Sequence, residues 1–87
     1  MAVLLITYDV KNQMENSSSF HKQIKHYFHI KLSESSYAIQ TTEPTSYVYG
    51  KLKDSIEKND RLYIITLDKP WSGFGPIENR DWLRNYF

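Results

Sequence analysis

The rhythm of apolar and polar residues changes repeatedly along this chain, and each change predicts an element. Residues 2–9 place Val3, Leu5 and Thr7 on one side and Leu4, Ile6 and Tyr8 on the other. Apolar side chains on both sides predict a central strand covered by helices on at least one face. Residues 10–18 are polar and rich in Asn and Ser, which predicts a loop. A serine within 17–19 is placed to cap the next helix by accepting from its free N–H groups. Phe20, Ile24 and Phe28 then recur every fourth residue, with Tyr27 beside them, and predict a helix over about 19–29. Lys22, Lys25 and His26 fall off that stripe.

From Ile30 the period shortens to two. Ile30 and Leu32 alternate with Lys31 and Ser33, Ser33–Ser36 reads as a turn, and Tyr37, Ile39 and Thr41 alternate again. That is a hairpin. Thr42-Glu43-Pro44 opens a second helix, with Thr42 or a neighbour as cap and Pro44 tolerated in the first turn. Val48, Leu52 and Ile56 give it one buried stripe, Gly50 weakens it, and Asn59-Asp60 ends it. Residues 61–67 form a strand apolar on both faces, Pro70–Pro76 an irregular aromatic loop, and 77–87 a short amphipathic helix. The order β-α-β-β-α-β plus a helix predicts an α+β, ferredoxin-like domain spanning 1–87. Its four-stranded antiparallel sheet carries two helices on one face. The other face is expected to have no helix of its own, so a second copy of the chain is the expected cover, giving a homodimer.

Composition narrows the class. With 87 residues the chain builds one modest core. An apolar fraction of 40% is globular rather than disordered. Cysteine is absent, which removes disulfides and thiolate metal sites. The first apolar run is too short for a signal peptide or a membrane span, so a cytoplasmic, non-membrane protein is expected. Net charge is +1 but unevenly placed. Residues 11–31 carry Lys11, Lys22, Lys25 and Lys31 against Glu15, together with all three histidines. Such a segment can face nucleic-acid phosphates, or be an ordinary solvated helix face.

The leading candidate for chemistry is Asp9, a carboxylate where a buried strand emerges. It either serves a site or ends the strand by bonding loop N–H groups. Tyr8 packs as an aromatic, or offers its hydroxyl to Asp9 or a phosphate. His21 and His26 diverge by roughly 140° on a helix and do not share a metal. His26 and His29 are close enough to do so, and a histidine is also a credible general base. Ser33, Ser35 and Ser36 bond a phosphate or their own turn. Gly73-Phe74-Gly75 lacks the lysine of a phosphate loop. Trp71, Phe74, Trp82, Tyr86 and Phe87 stack bases, lock the terminal helix or fill an interface.

Leu4-Leu5-Ile6-Thr7-Tyr8-Asp9-Val10 resembles the SinR-like small proteins. So do Glu34-Ser35-Ser36-Tyr37 between Leu32 and Ile39, Lys58-Asn59-Asp60-Arg61-Leu62-Tyr63-Ile64, and Trp71-Ser72-Gly73-Phe74-Gly75. That group includes the CRISPR-associated adaptation protein and, more distantly, the VapD-type toxin ribonucleases. The resemblance implies a ferredoxin-like homodimer packed through its sheets. In the CRISPR-associated branch it also implies an aspartate, here Asp9, facing its twin beside a divalent metal (Mg²⁺ or Mn²⁺) with phosphodiesterase activity. Two features depart from that branch: Ser17-Ser18-Ser19 replaces an arginine-rich helix start, and the aromatic loop and last helix replace a shorter tail. The expected function is therefore a small dimeric nucleic-acid-acting protein. Asp9 and Tyr8 would be catalytic, Asp9 the metal ligand, and Lys11, Lys22, Lys25, His26 and Lys31 the nucleic-acid contacts. The alternatives are a non-catalytic dimerising or nucleic-acid-binding module and a toxin or defence-related regulator.

Overall fold

The computed structural model describes residues 1–10 and 13–87, with side chains for all of these except 13–18. Its elements run β1 (Ala2–Asp9), α1 (Gln13–Lys25), β2 (Phe28–Ser33), β3 (Ser36–Thr41), α2 (Thr45–Leu52), a 3-10 turn (Lys53–Ser55), β4 (Arg61–Thr66) and α3 (Ile77–Tyr86). The strands form one sheet in the order β2-β3-β1-β4, and every neighbouring pair is antiparallel. This is the ferredoxin-like α+β arrangement with a helix added at the C-terminal end. Among the described residues, no helix is long and apolar enough to cross a membrane.

Alternation in β1 builds two cores. Leu4, Ile6 and Tyr8 point to one face and meet Phe20 and Ile24 of α1, Val48 and Leu52 of α2, and Tyr37 and Ile39 of β3. Each fully buried large side chain here is worth roughly 1.5–3 kcal/mol in surface withdrawn from water. We call this the sealed face. Val3 points the other way, and with Ala38 it meets Trp82 of α3; Ile30, Leu32, Leu67, Leu83 and Phe87 surround them. The expectation that this second face lacks a helix is therefore corrected: α3 lies on it. Trp82 is the reason. Its ring is 7% exposed and tilts over Phe28 at 5.4 Å, while Tyr86 meets Phe28 edge-on at 4.7 Å. Gln40 Nε2 also donates to the Tyr86 carbonyl at 3.1 Å and pins the last turn.

Four boundaries move from the sequence reading. One is the end of the second helix, which closes at Leu52 with a 3-10 turn to Ser55 and leaves Ile56 extended, short of the expected Asn59-Asp60. The first helix starts at Gln13, so the expected loop over 10–18 is helical from 13 onward. Ser19 consequently lies inside the helix, where its hydroxyl meets that of Ser55 at 3.2 Å instead of capping. Phe28 fits both the helical stripe and the strand alternation of Ile30 and Leu32. Trp82 and Tyr86 decide for the strand, and the helix ends at Lys25. The N-cap of α2 is Pro44 without a side-chain bond; Thr41, not Thr42, accepts from the Glu43 amide at 3.1 Å.

Candidate functional site

Strand alternation separates the two residues that end β1. Tyr8 is 5% exposed on the sealed face, with its ring edge-on to Phe20 at 4.8 Å. Its hydroxyl donates to the Glu34 carbonyl at 3.2 Å and lies 3.0 Å from His21 Nε2. A hydroxyl has one hydrogen and a carbonyl only accepts, so Nε2–H of His21 is the donor to Tyr8. Burial, and behind it the charges of Tyr37 and Glu34, pushes the Tyr8 pKa up to about 12. The phenol is thus neutral at ordinary pH and acts as a hydrogen-bonding group that fastens the hairpin to α1.

Asp9 is exposed and belongs to the other face, in line with Val3, Leu5 and Thr7. Its register partner is Arg61 at the start of β4. The next two pairs inward are Thr7 with Tyr63 and Leu5 with Ile65. Helix α3 does not cover this half of the sheet: Tyr63 is 58% and Ile65 49% exposed. Asp9 therefore stands at the end of an open, mainly apolar strip along β1 and β4.

The basic residues are elsewhere. Lys22 and Lys25 are exposed near the end of α1, and His26 is exposed in the turn that follows. Lys31 is exposed on β2 opposite Tyr37, hence on the sealed-face side. Lys11 lies outside the described residues. The structure thus gathers Lys22, Lys25, His26 and Lys31 on one side of the sheet and Asp9 on the other. Lys25 and His26 also lie at the end of the sheet away from Asp9, since α1 runs back along β1.

The histidine and serines that the sequence reading also singled out, His29, Ser33, Ser35 and Ser36, have local partners. His29 Nδ1 donates to the Tyr27 carbonyl at 2.9 Å. Ser33 and Ser36 hydroxyls meet at 2.7 Å, and the Ser35 amide donates to Ser33 Oγ at 3.3 Å, so these serines close their own turn. Among the described residues, no three His, Asp or Glu side chains come together to hold a metal. One chain offers a lone carboxylate at Asp9, and the guanidinium of its register partner Arg61 donates to the Asn59 carbonyl at 3.4 Å. A lone carboxylate is a poor fit to a divalent ion that requires about six oxygens. The sequence reading did not foresee the cluster around Lys51. Its ammonium sits 3.2 Å from Glu43 Oε2 and about 5 Å from the ring centroids of Tyr27 and Tyr47, and Tyr27 donates to Glu43. The Tyr27 bond, followed by Lys51, holds the Glu43 carboxyl below its ordinary range. This cluster ties α2 to the turn after α1. Only the three-dimensional meeting of residues 27, 43 and 51 reveals it.

Comparison of the chain with protein-family models, with curated proteins and with solved structures finds no match.

Proposed function

We propose that this protein acts on nucleic acid as a homodimer assembled through the open β1–β4 strip, with Asp9 of each copy at the junction. The observation that carries this reading is the placement of Asp9: it is exposed on the same sheet face as Tyr63 and Ile65, at the end of the strip they form. Covering two large exposed side chains per copy supplies an association energy that one isolated chain leaves unused. The likeness of the Tyr8-Asp9 strand end to the SinR-like and CRISPR-associated adaptation proteins supports the same arrangement. A metal enters only through the dimer. Two carboxylates related by a two-fold axis near the end of β1 would hold Mg²⁺ or Mn²⁺ with water and phosphate oxygens completing the shell. Such an ion activates water and stabilises charge on a phosphodiester.

A second reading, a nucleic-acid-binding module without chemistry, is favoured by the exposed run Lys22, Lys25, His26 and the edge residue Lys31, which are remote from Asp9. One assay separates the two. The protein is incubated with labelled RNA and DNA in Mg²⁺ or Mn²⁺, beside Asp9→Asn. The enzymatic reading expects cleavage by the parent and none by the variant. Equal cleavage by both rejects Asp9 as the ligand; binding without cleavage, weakening steeply with salt, leaves the module.

A further inference from the structure

Between α3, the Pro70–Pro76 loop and the sheet lies a cavity of about 460 Å³ that adjoins the open strip at Leu5 and is otherwise lined by residues the reading above does not use. This volume is within the range of small-ligand clefts. Leu5 and Leu32 make its floor, Leu83 a wall, and Trp71 and Phe74 a rim; Arg80 reaches the same space from the first turns of α3. Two features of that rim are unexplained by folding. Phe74 is fully exposed, at 105% of its reference area. A phenylalanine ring left wholly in water stands to gain from any apolar group laid against it. Arg80 has no ion-pair partner among the described residues. Its neighbour Asn79 also lines the cavity, whereas Glu78 of the same first turn is outside the lining.

The acidic lining residue, Asp68, follows β4 and lies with Phe87 at the end where α3 finishes, away from its first turns. Asp68 Oδ1 already accepts from the Lys69 amide at 2.9 Å. The cavity is thus apolar along its length and cationic at one end. The geometry points to a site for a hydrophobic carboxylate, a monoanion with an alkyl or aryl body: the body lies over Leu5, Leu32 and Leu83 under Trp71 and Phe74, and the carboxylate meets Arg80 and Asn79. An Arg–carboxylate pair, often bidentate, fixes which end of the ligand enters.

The test uses the full chain, octanoate as the acid, octanamide as its neutral twin and acetate as the anion without a body. Binding is followed through the indole N–H signal of Trp71 in ¹H–¹⁵N spectra. Octanoate is expected to bind saturably and about tenfold more tightly than octanamide, with acetate giving no saturable shift. Arg80→Met, at an exposed position, should keep the parent's melting temperature and erase the preference for acid over amide. Three results overturn the proposal. They are octanoate binding no better than octanamide, Arg80→Met keeping the preference, and a Trp71 signal that moves with protein concentration but not with octanoate. The last result would assign the cavity to a second copy of the chain.

Discussion

The two faces of this sheet are finished in different ways. On the sealed face α1 and α2 cover β1 and β3 completely, and Phe20, Ile24, Ile39, Val48 and Leu52 have no exposed surface. On the other face α3 covers β2, β3 and the start of β1 through Trp82, then stops, and leaves Tyr63 and Ile65 of β4 in water. Both faces are apolar in sequence, so hydrophobicity alone does not separate them. The helix supply does: two helices serve one face and a single ten-residue helix serves the other. What that helix leaves open is where Asp9 emerges. Packing accounts for the first face; the second is where the proposed assembly and the proposed ligand would sit.

The largest effect that sharpens this contrast is in the sealed core. Phe20→Ala removes a fully buried ring and is expected to cost about 4 kcal/mol, enough to unfold most of a domain this small. Urea titration followed by circular dichroism measures it. Trp82→Ala is expected to cost about 3 kcal/mol, with a different signature. Amides of α3 should lose hydrogen-exchange protection while those of β1 and β3 keep theirs, because the sealed core does not depend on α3. Equal deprotection of all strands would show one core where the structure shows two.

A smaller effect tests the Tyr8 linkage. Tyr8→Phe keeps the ring but removes the hydroxyl from His21 and the Glu34 carbonyl, at about 1–2 kcal/mol near neutral pH. Its folded-state pKa is raised to about 12. The stabilisation is therefore complete below pH 10 and lost as pH climbs from 10 to 12. The parent should lose stability more steeply than Tyr8→Phe across that window, and parallel curves would contradict the hydroxyl's role. The smallest stability effect belongs to the open strip. Ile65→Lys should change unfolding free energy by less than about 0.5 kcal/mol, since the site is half exposed. Yet it should shift the molecule from about twice 10.4 kDa to 10.4 kDa in sedimentation equilibrium. A destabilised monomer, or an unaffected dimer, would remove the strip from the interface.

Much of the architecture was legible in the alternation of β1 and β4 and in the i, i+4 stripes of the helices, because buried positions are obliged to follow the period of their element. Two things were not. The polar stretch from Gln13 to Ser19 carries no stripe to mark a helix, though Gln, Met and Glu form helices readily. And no periodicity tells which sheet face a terminal helix will choose; that depended on Trp82 finding Val3 and Ala38. For the site, exposure of Asp9 followed from its place at a strand end. Its register with Arg61, and its separation from Lys22, Lys25, His26 and Lys31, required the strand pairing itself.

The central claim, that two copies bring their Asp9 residues together, has a direct test because the chain contains no cysteine. Asp9→Cys introduces a unique thiol, and a disulfide forms only when two Cα atoms come within about 7 Å. Under mild oxidation of the folded protein, the account predicts rapid conversion to a covalent dimer, abolished by adding Ile65→Lys. A folded dimer whose thiols stay reduced would contradict it.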